Sequence, residues 1–361
     1  MIESREVFQD DYPTPILHRN EELNSLSKAL KPTGHGQRAR DVLVHGPSGV
    51  GKSASARWML RDLRQRWSLE STVIECSGKT RNGILYKAVT EHDGESLVHE
   101  NHPREKLIDA LEAVVDGDPY VLVLDEADVI PDLDVLEDLF AVDGVSVIAI
   151  AHQQVKWLNR VDRDLRPHFH GDRHIDSQIE FQKYGVDELV DILEPRVEHG
   201  LTGDPTQDGH LERIADETGG VARWAIKSVL SAAELALERG HDYFHDEDVD
   251  DSFEHAMQKI RKANLRSLPL PHQRLYEIVR TIGPASGTEM QAAYEKHKGA
   301  IFEGRGHEPV GWRRAWDYLS KMDDYDLIRM PGETNSKVYE AVDEELEAPV
   351  KFDPRETAEA N

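Results

Sequence analysis

Cysteine is almost missing. One thiol, Cys76, in 361 residues leaves no disulfide framework and implies a reducing compartment. It closes the apolar run Thr72-Val-Ile-Glu-Cys76 and is expected to be a small buried hydrophobe. Long hydrophobic runs are also missing: no segment approaches the roughly 20 apolar residues that a membrane span needs. The start, Met1-Ile-Glu-Ser-Arg-Glu-Val, lacks the basic stretch and apolar core of a secretion signal. The expectation is a soluble cytoplasmic chain with no membrane partner. Basic residues are scarce as well, 43 Lys and Arg against 69 Asp and Glu, a net charge of −26. A polyanion is usually approached through a basic surface, so this balance weighs against broad nucleic-acid binding.

The carboxylates are spread through the helical stretches, Asp187-Glu188 and Asp246-Glu-Asp248 among them, as on a solvated surface. A high-salt cytoplasm, as in a halophile, accounts for this. At 1 M salt the Debye length is about 3 Å, which screens repulsion from DNA and leaves the local distribution of charge to decide. From Arg261 to Met330 the balance reverses, with 12 basic against 9 acidic residues, a local +3.

The chain is long enough for more than one domain. Short β-type runs at Val42–His45, Thr72–Ile74, Tyr120–Leu124 and Val145–Ile150 alternate with helical stretches, the rhythm of a parallel sheet covered on both faces. From Gln182 to His255 strand signals vanish, and helices punctuated by Gly200, Gly203, Gly219-Gly220 and Gly240 replace them. In Val221–Arg239 the residues Ile226, Val229, Leu230, Ala233 and Leu237 predict one buried stripe. After a joint over Lys262–Pro271 the pattern predicts three helices: Gln273–Ile282, one following the capping-box spacing Ser286-Gly-Thr-Glu289, and Trp312–Met322. Leu327–Met330, a turn at Pro331–Asn335 and Val338-Tyr339 then predict a hairpin, which completes a winged-helix plan. The boundaries expected are a nucleotide-binding core at 1–175, a helical lid at 176–262, a winged helix at 263–345 and a tail without fixed structure at 346–361.

Gly46-Pro47-Ser48-Gly49-Val50-Gly51-Lys52-Ser53 is a P-loop lying between a strand and the helix that opens with Ala54. Its glycines let backbone N–H groups turn around phosphate oxygens at a helix start. Lys52 reaches the terminal phosphates and the Ser53 hydroxyl is a Mg²⁺ ligand. Downstream, the apolar strand Val121–Leu124 ends in Asp125-Glu126. Asp125 is placed to organise Mg²⁺, and Glu126 to orient and deprotonate an attacking water. The ligands expected are therefore ATP or ADP with Mg²⁺. Gly219-Gly-Val-Ala-Arg223 opens a helix of the lid, where Arg223 is either a surface arginine or a reporter of the terminal phosphate. The histidines His168, His170 and His174 have no Cys and only scattered carboxylates nearby, and are not read as a metal site.

Taken in order, these residues resemble the archaeal origin-recognition and cell-division-control initiators, AAA+ ATPases of DNA replication. The resemblance covers roughly Tyr12 to Tyr339, through Pro15-Ile-Leu-His-Arg-Asn-Glu-Glu22, Leu30-Lys-Pro32, the two nucleotide motifs, Gly219–Arg223 and the region after Leu268-Pro-Leu-Pro-His272. It implies that His18 and Arg19 lie near the adenine, that Arg223 is the second sensor and that Arg81 falls where initiators carry a DNA-contacting insertion. Each of these has an open alternative as an exposed polar residue. The chain departs from the family at two places. His152 stands where the first sensor is usually Asn, and in Val161-Asp-Arg-Asp-Leu-Arg166 the finger arginine aligns with Asp164, leaving Arg163 or Arg166 to substitute. Both departures predict slow or absent hydrolysis.

In a winged helix the third helix enters the major groove and the wing follows the backbone. Arg313, Arg314, Lys321 and Lys337 are the DNA contacts expected there, and Trp312, Trp316 and Tyr318 are expected to be packing. The resemblance implies origin duplex DNA, the replicative helicase and other initiator copies as partners, in a nucleoid-associated chain. Two other readings stay open: a signalling, regulatory or mobile-element ATPase whose winged helix meets protein or promoter, and a nucleotide-locked paralogue.

Overall fold

The computed structural model describes residues 1–10, 12, 15–67, 69–92, 97–170, 177–207, 209–303, 309–332 and 336–355. They fall into two compact units, Met1–Ala256 and Met257–Asn361.

The first unit begins with α1 (Asn20–Leu30), β1 (Val42–His45), α2 (Lys52–Arg66), β2 (Glu70–Glu75), α3 (Arg81–Thr90), α4 (Arg104–Val115) and β3 (Tyr120–Asp125). It continues through α5 (Val135–Ala141), β4 (Val145–Ala151), α6 (Gln154–Arg160) and β5 (Gln178–Glu180). All five strands are parallel, in the order β2-β3-β4-β1-β5. The chain leaves β1 for the far edge and returns, so the carboxyl ends of β1, β4 and β3 lie side by side where loops can meet a ligand. Along β3 the side chains alternate between the two faces. Leu122 and Leu124 join a core with α3, α4 and α5, while Val121 and Val123 join one with α1 and α2. A strand buried on both faces needs apolar residues at every position, which is why β3 and β4 read as continuous hydrophobic runs.

The lid consists of α7 (Val186–Gly200), α8 (His210–Glu217), α9 (Ala222–Arg239) and the start of α10 (Asp246–Ser267). Two boundaries differ from expectation. Residues 178–180 pair with β1 and belong to the sheet, although three residues carry too little alternation to read as a strand. The first ten residues belong with the lid: Val7 and Phe8 are buried among lid side chains, and Ile2 bridges Leu201. Arg196 holds this strap through the Val7 carbonyl, and Lys227 Nζ bonds the Phe8 carbonyl at 2.8 Å. Gly200 permits the contact, since a Cβ there would lie 2.4 Å from the Phe8 ring. The buried stripe of α9 is also differently composed. Ala222, Ala225, Val229, Ala232, Ala233 and Ala236 are buried, whereas Leu237 is 48% exposed. Small side chains let neighbouring helices approach, so burial follows helix position more closely than hydrophobicity.

The second unit follows the winged-helix plan: α11 (Leu270–Ile282), β6 (Ala285–Ser286), α12 (Gly287–Phe302), α13 (Trp312–Asp324), β7 (Ile328–Arg329) and β8 (Val338–Ala341). Its sheet has the order β6-β8-β7, with both pairings antiparallel. The Ser286–Glu289 box forms, Glu289 Oε2 accepting from Ser286 N at 2.8 Å. α11 starts three residues before the expected Gln273, because Pro271 needs no N–H donor in a first turn. The joint expected from Lys262 is helical to Ser267, built from good helix formers with no glycine. Residues 333–335 of the wing turn and 356–361 of the tail lie outside the described residues. The stretch from 346, expected to lack structure, is packed as far as 352. Leu346, Val350 and Phe352 lie on the core, Ala348 is buried, and its N–H donates to Glu277 Oε1 at 2.6 Å. Its apolar residues supply the burial that a polar tail lacks.

Candidate functional site

The loop from Gly46 to Gly51 joins β1 to α2 and is curled. Gly46 and Gly49 have φ of 142° and 74°, which side chains with a Cβ rarely adopt. A Cβ on Gly46 would lie 2.1 Å from the Phe181 carbonyl oxygen, and one on Gly49 would lie 2.8 Å from Val221 of the lid. The loop is thus clamped between the end of β5 and the start of α9. Lys52, 7% exposed, folds back so that Nζ donates to the carbonyls of Gly46 and Pro47 at 2.7 and 2.6 Å. An ammonium inside a ring of backbone, at a helix start, is a cradle for a polyphosphate.

Ser53 Oγ donates to Asp125 Oδ1 at 2.7 Å, which places the loop and the end of β3 on one side of the sheet. Arg57, one turn after Ser53, reaches Asp125 Oδ2 at 3.1 Å. Glu126 follows in the left-handed region, with φ 58°, and its N–H donates to Asp125 Oδ1 at 3.1 Å. That turn sends the chain away from the strand direction immediately after the carboxylate pair. His152, just past β4, has Nδ1 3.1 Å from Asp128 Oδ2.

Arg19 is 4% exposed and donates to the Val50 carbonyl at 3.2 Å and the Gln182 carbonyl at 2.6 Å. Its guanidinium lies 3.7 Å from the centroid of the Tyr184 ring. Arg19 therefore braces the P-loop against the strand-to-lid connection. His18, with φ 55°, points to the lid instead, Nε2 lying 2.7 Å from Asp191 Oδ2 of α7. Arg223 meets the loop through its backbone, N–H to the Gly49 carbonyl at 3.1 Å, and its Nε is 3.0 Å from Asp10 of the strap. The lid helix start and the P-loop are thus in direct contact.

Two electrostatic consequences follow. Burial lowers the affinity of the His45 imidazole for a proton, with Glu180 opposing this and Lys52 reinforcing it. Burial pushes the Cys76 thiol well above its usual range, and Asp125 and Glu126 add to the effect. Cys76 is therefore an inert neighbour of the carboxylates.

An AAA ATPase domain model matches residues 15–150, and a Cdc6 AAA+ ATPase-type lid domain model matches 190–254. The chain is 33% identical over 349 residues to ORC1-type DNA replication protein 9 of Halobacterium salinarum, a match spanning 95% of this chain and 94% of the relative. The chain belongs to the archaeal Orc1/Cdc6 family. ORC1-type DNA replication protein 1 of the same organism is 31% identical over 300 residues, covering 81% of this chain and 95% of that protein. Among solved structures, the Aeropyrum pernix ORC1 protein in complex with DNA superposes with a TM-score of 0.68 at 22% identity, covering 93% of this chain and 92% of that one. Cdc6p from Pyrobaculum aerophilum gives 0.62 at 19%, covering 99% and 97%. At these identities the structures establish the fold. As a member of the Orc1/Cdc6 family the chain carries a nucleotide-binding AAA+ ATPase domain.

The remaining expected contacts of this Orc1/Cdc6 chain are distributed unevenly. Arg81 opens α3 and is held inward, with Nε and Nη2 bonding both oxygens of buried Asp138, the latter at 2.8 Å; Asp132 and Asp134 stand 3.6 Å away. Those carboxylates engage the guanidinium expected to meet DNA. Arg313 is exposed and Arg314 half-buried on α13. Lys321, expected to meet DNA, does not face solvent: it is 3% exposed, with Nζ 4.1 Å from the Tyr325 ring centroid, because its helix position faces the core. Lys337 lies over Trp316 of α13, 5.0 Å from the ring. In the finger segment Arg163 is exposed, while Arg166 Nε bonds the Val161 carbonyl at 3.1 Å. His168 Nδ1 lies 2.8 Å from Asp41 and its ring stacks on Phe140. His170 Nδ1 faces the Arg166 carbonyl, and His174 lies outside the described residues.

Arg57, Tyr184, Asp128 and Asp10 join the site without having been expected from the sequence. Arg57 was detectable, since it sits four residues after Ser53 on the same helix face. Tyr184 and Asp10 had no local signal, because only the pairing of β5 and the packing of the strap bring them to the loop.

Proposed function

We propose that the chain is an ATP-governed initiator of DNA replication that binds origin duplex DNA and helps recruit the replicative helicase. The observation that carries the reading is the contact between the lid and the P-loop, Arg223 N–H to the Gly49 carbonyl. Through it a phosphate in the loop would bear directly on the lid. Support for the replication role comes from relatives that are ORC1-type DNA replication proteins and from a match that runs nearly the length of both chains. A winged helix whose exposed Arg313 sits near the start of its third helix supports a DNA role.

On this reading the N–H groups of residues 48–53 and Lys52 bind the phosphates of ATP or ADP, and Ser53 with Asp125 would hold Mg²⁺. When bound, the ion offsets phosphate charge and fixes phosphate orientation. Glu126 orients a water and accepts its proton. Asp128 orients His152 so that the other ring nitrogen can serve as first sensor. Arg223 serves as second sensor, and His18 and Arg19 border the base side of the pocket. Turnover is slow, because an imidazole replaces the usual sensor and Asp164 the finger, leaving exposed Arg163 as the substitute. Arg313, Arg314 and Lys337 contact DNA. Work in a high-salt cytoplasm, beside the nucleoid and with other initiator copies, fits the acidic surface.

The test is footprinting on genomic fragments in molar KCl, with and without a non-hydrolysable ATP analogue. Protection of a specific duplex repeat that is strengthened by the analogue and lost in Arg313→Ala/Arg314→Ala supports the proposal. Uniform binding or none would favour an ATPase whose winged helix meets protein. The altered sensor keeps one second reading open, a nucleotide-locked paralogue. A single-turnover assay separates the two: in a hydrolysing initiator Glu126→Gln slows the chemical step by roughly 10²–10⁴-fold, whereas in a locked paralogue it changes nothing.

A further inference from the structure

We propose that His241, His245 and Glu247, at the turn between α9 and α10, form a binding site for a divalent transition-metal ion of the zinc class. Among the described residues this is the group whose His and carboxylate ligand atoms converge, all within 4.8 Å of one another. The turn is built to hold it. Gly240 ends α9 in the left-handed region, and the His241 N–H returns to the Ala236 carbonyl at 2.8 Å. Phe244, fully buried with its N–H on the Pro205 carbonyl at 2.7 Å, anchors the turn, so that His241 and His245 emerge on one side. Their rings stack with centroids 3.8 Å apart and planes within 9°.

Behind them lies Asp248, at 0% exposure. Its carboxylate accepts from His241 Nδ1 at 2.7 Å, from the His245 N–H at 2.9 Å and from Arg239 Nη1 at 2.9 Å. A carboxylate that accepts a hydrogen bond from Nδ1–H leaves the lone pair of His241 on Nε2, and this atom lies 3.7 Å from Glu247 Oε1. A buried carboxylate that fixes the tautomer and ring of a histidine, with the opposite nitrogen 3.7 Å from a glutamate, is the outer shell typical of protein metal ligands.

Charge supports a cation. Glu247, Asp248 and Asp251 outweigh Arg239, whose guanidinium is engaged by Asp248 and Asp251. The amino end of α10 opposes a cation through its dipole, and Asp246, Glu247 and Asp248 in its first turn counter this. Two imidazoles and one carboxylate select zinc, cobalt or nickel over magnesium, which prefers oxygen alone. Tetrahedral zinc with bonds of about 2.0–2.2 Å needs ligand atoms roughly 3.4 Å apart. Closing the set requires Glu247, whose side chain is 64% exposed, to swing and the His245 ring to turn off the His241 ring, so that the in-plane lone pairs of both imidazoles face one ion.

The experiment is a titration of the metal-free, nucleotide-free full chain with Co²⁺ in molar KCl, read by visible ligand-field absorption, followed by displacement with Zn²⁺. One equivalent is expected, with tetrahedral bands retained in Asp125→Asn and an affinity at least tenfold weaker in both His245→Ala and Glu247→Gln. These two variants keep the bond from His241 to Asp248, so circular dichroism should match the parent. Absence of stoichiometric Co²⁺, binding that both variants leave unchanged, or binding lost in Asp125→Asn would each overturn the site.

Discussion

Asp138 is buried and takes its counter-charge chiefly from Arg81, with Arg104 Nη1 3.7 Å from its other oxygen. Arg81→Ala should therefore act on stability, costing about 2–3 kcal/mol, less than the roughly 3–5 of a buried pair broken outright because Arg104 stays beside the desolvated carboxylate. That lowers the melting temperature of the first unit by roughly 5–10 °C, with duplex affinity unchanged. Asp138→Asn should recover part of the loss, since it removes a buried charge that has lost its nearer partner; calorimetry and anisotropy read the two effects separately. A similar contrast separates two residues of α13. Arg313→Ala should reduce the slope of log affinity against log salt by about one. Lys321→Ala should leave the slope alone and destabilise the second unit, because its amine is inside the core. Acid should act through His45. Its folded proton affinity lies below the ordinary 6.5, so the unfolded chain binds the proton more readily. The contribution is complete above that value, is lost as pH falls below it, and levels off beneath the folded value. Melting temperatures from pH 8 to 5 should decline on the acid side, and less in His45→Gln. At this scale the sequence was readable where chemistry demands a fixed spacing, as from Gly46 to Ser53. It was not readable where the partner is distant: nothing near Arg81 announces Asp138, and nothing near Lys321 states which face of its helix is buried.

The strap and α9 are the elements that join the lid to the loop. Phe8 fills a space made by Gly200, so Gly200→Ala should cost about 1–3 kcal/mol by overpacking, and less in a Phe8→Leu background. Chemical denaturation of the double-mutant cycle measures the coupling. Asp10 pairs with Arg223 at 3.0 Å and with Lys227 at 3.7 Å. If Arg223 serves the terminal phosphate, Asp10→Asn should raise affinity for ATP by a few-fold, on the order of 0.5–1 kcal/mol for a partly exposed pair, and affinity for ADP by less. Elements with strong periodicity were legible: β1, β3, β4, α12 and α13 lie within a few residues of expectation. β5 was too short to show alternation, and the buried stripe of α9 was hidden by its alanines. The strap was invisible because its burial depends on a helix some two hundred positions away.

At the scale of the whole molecule the charge of −26 dominates. Mutual repulsion among carboxylates is screened only when the Debye length is short, about 3 Å at 1 M against 10 Å at 0.1 M. The melting temperature should therefore rise steeply with KCl, and by much less with an uncharged osmolyte at matched water activity. The winged-helix plan was legible from the order of its helices and hairpin. The assignment of the first ten residues to the lid was not, because it depends on packing rather than pattern. Nucleotide control of this chain requires the loop to hold phosphate through Lys52 and Ser53 opposite Asp125. The measurement that tests this most directly is isothermal titration of ATP with Mg²⁺ into the full chain and into Lys52→Ala, in molar KCl. One saturable site that weakens by at least tenfold in the variant is predicted. Absence of binding to the parent chain, or an isotherm that Lys52→Ala leaves unaltered, would contradict it.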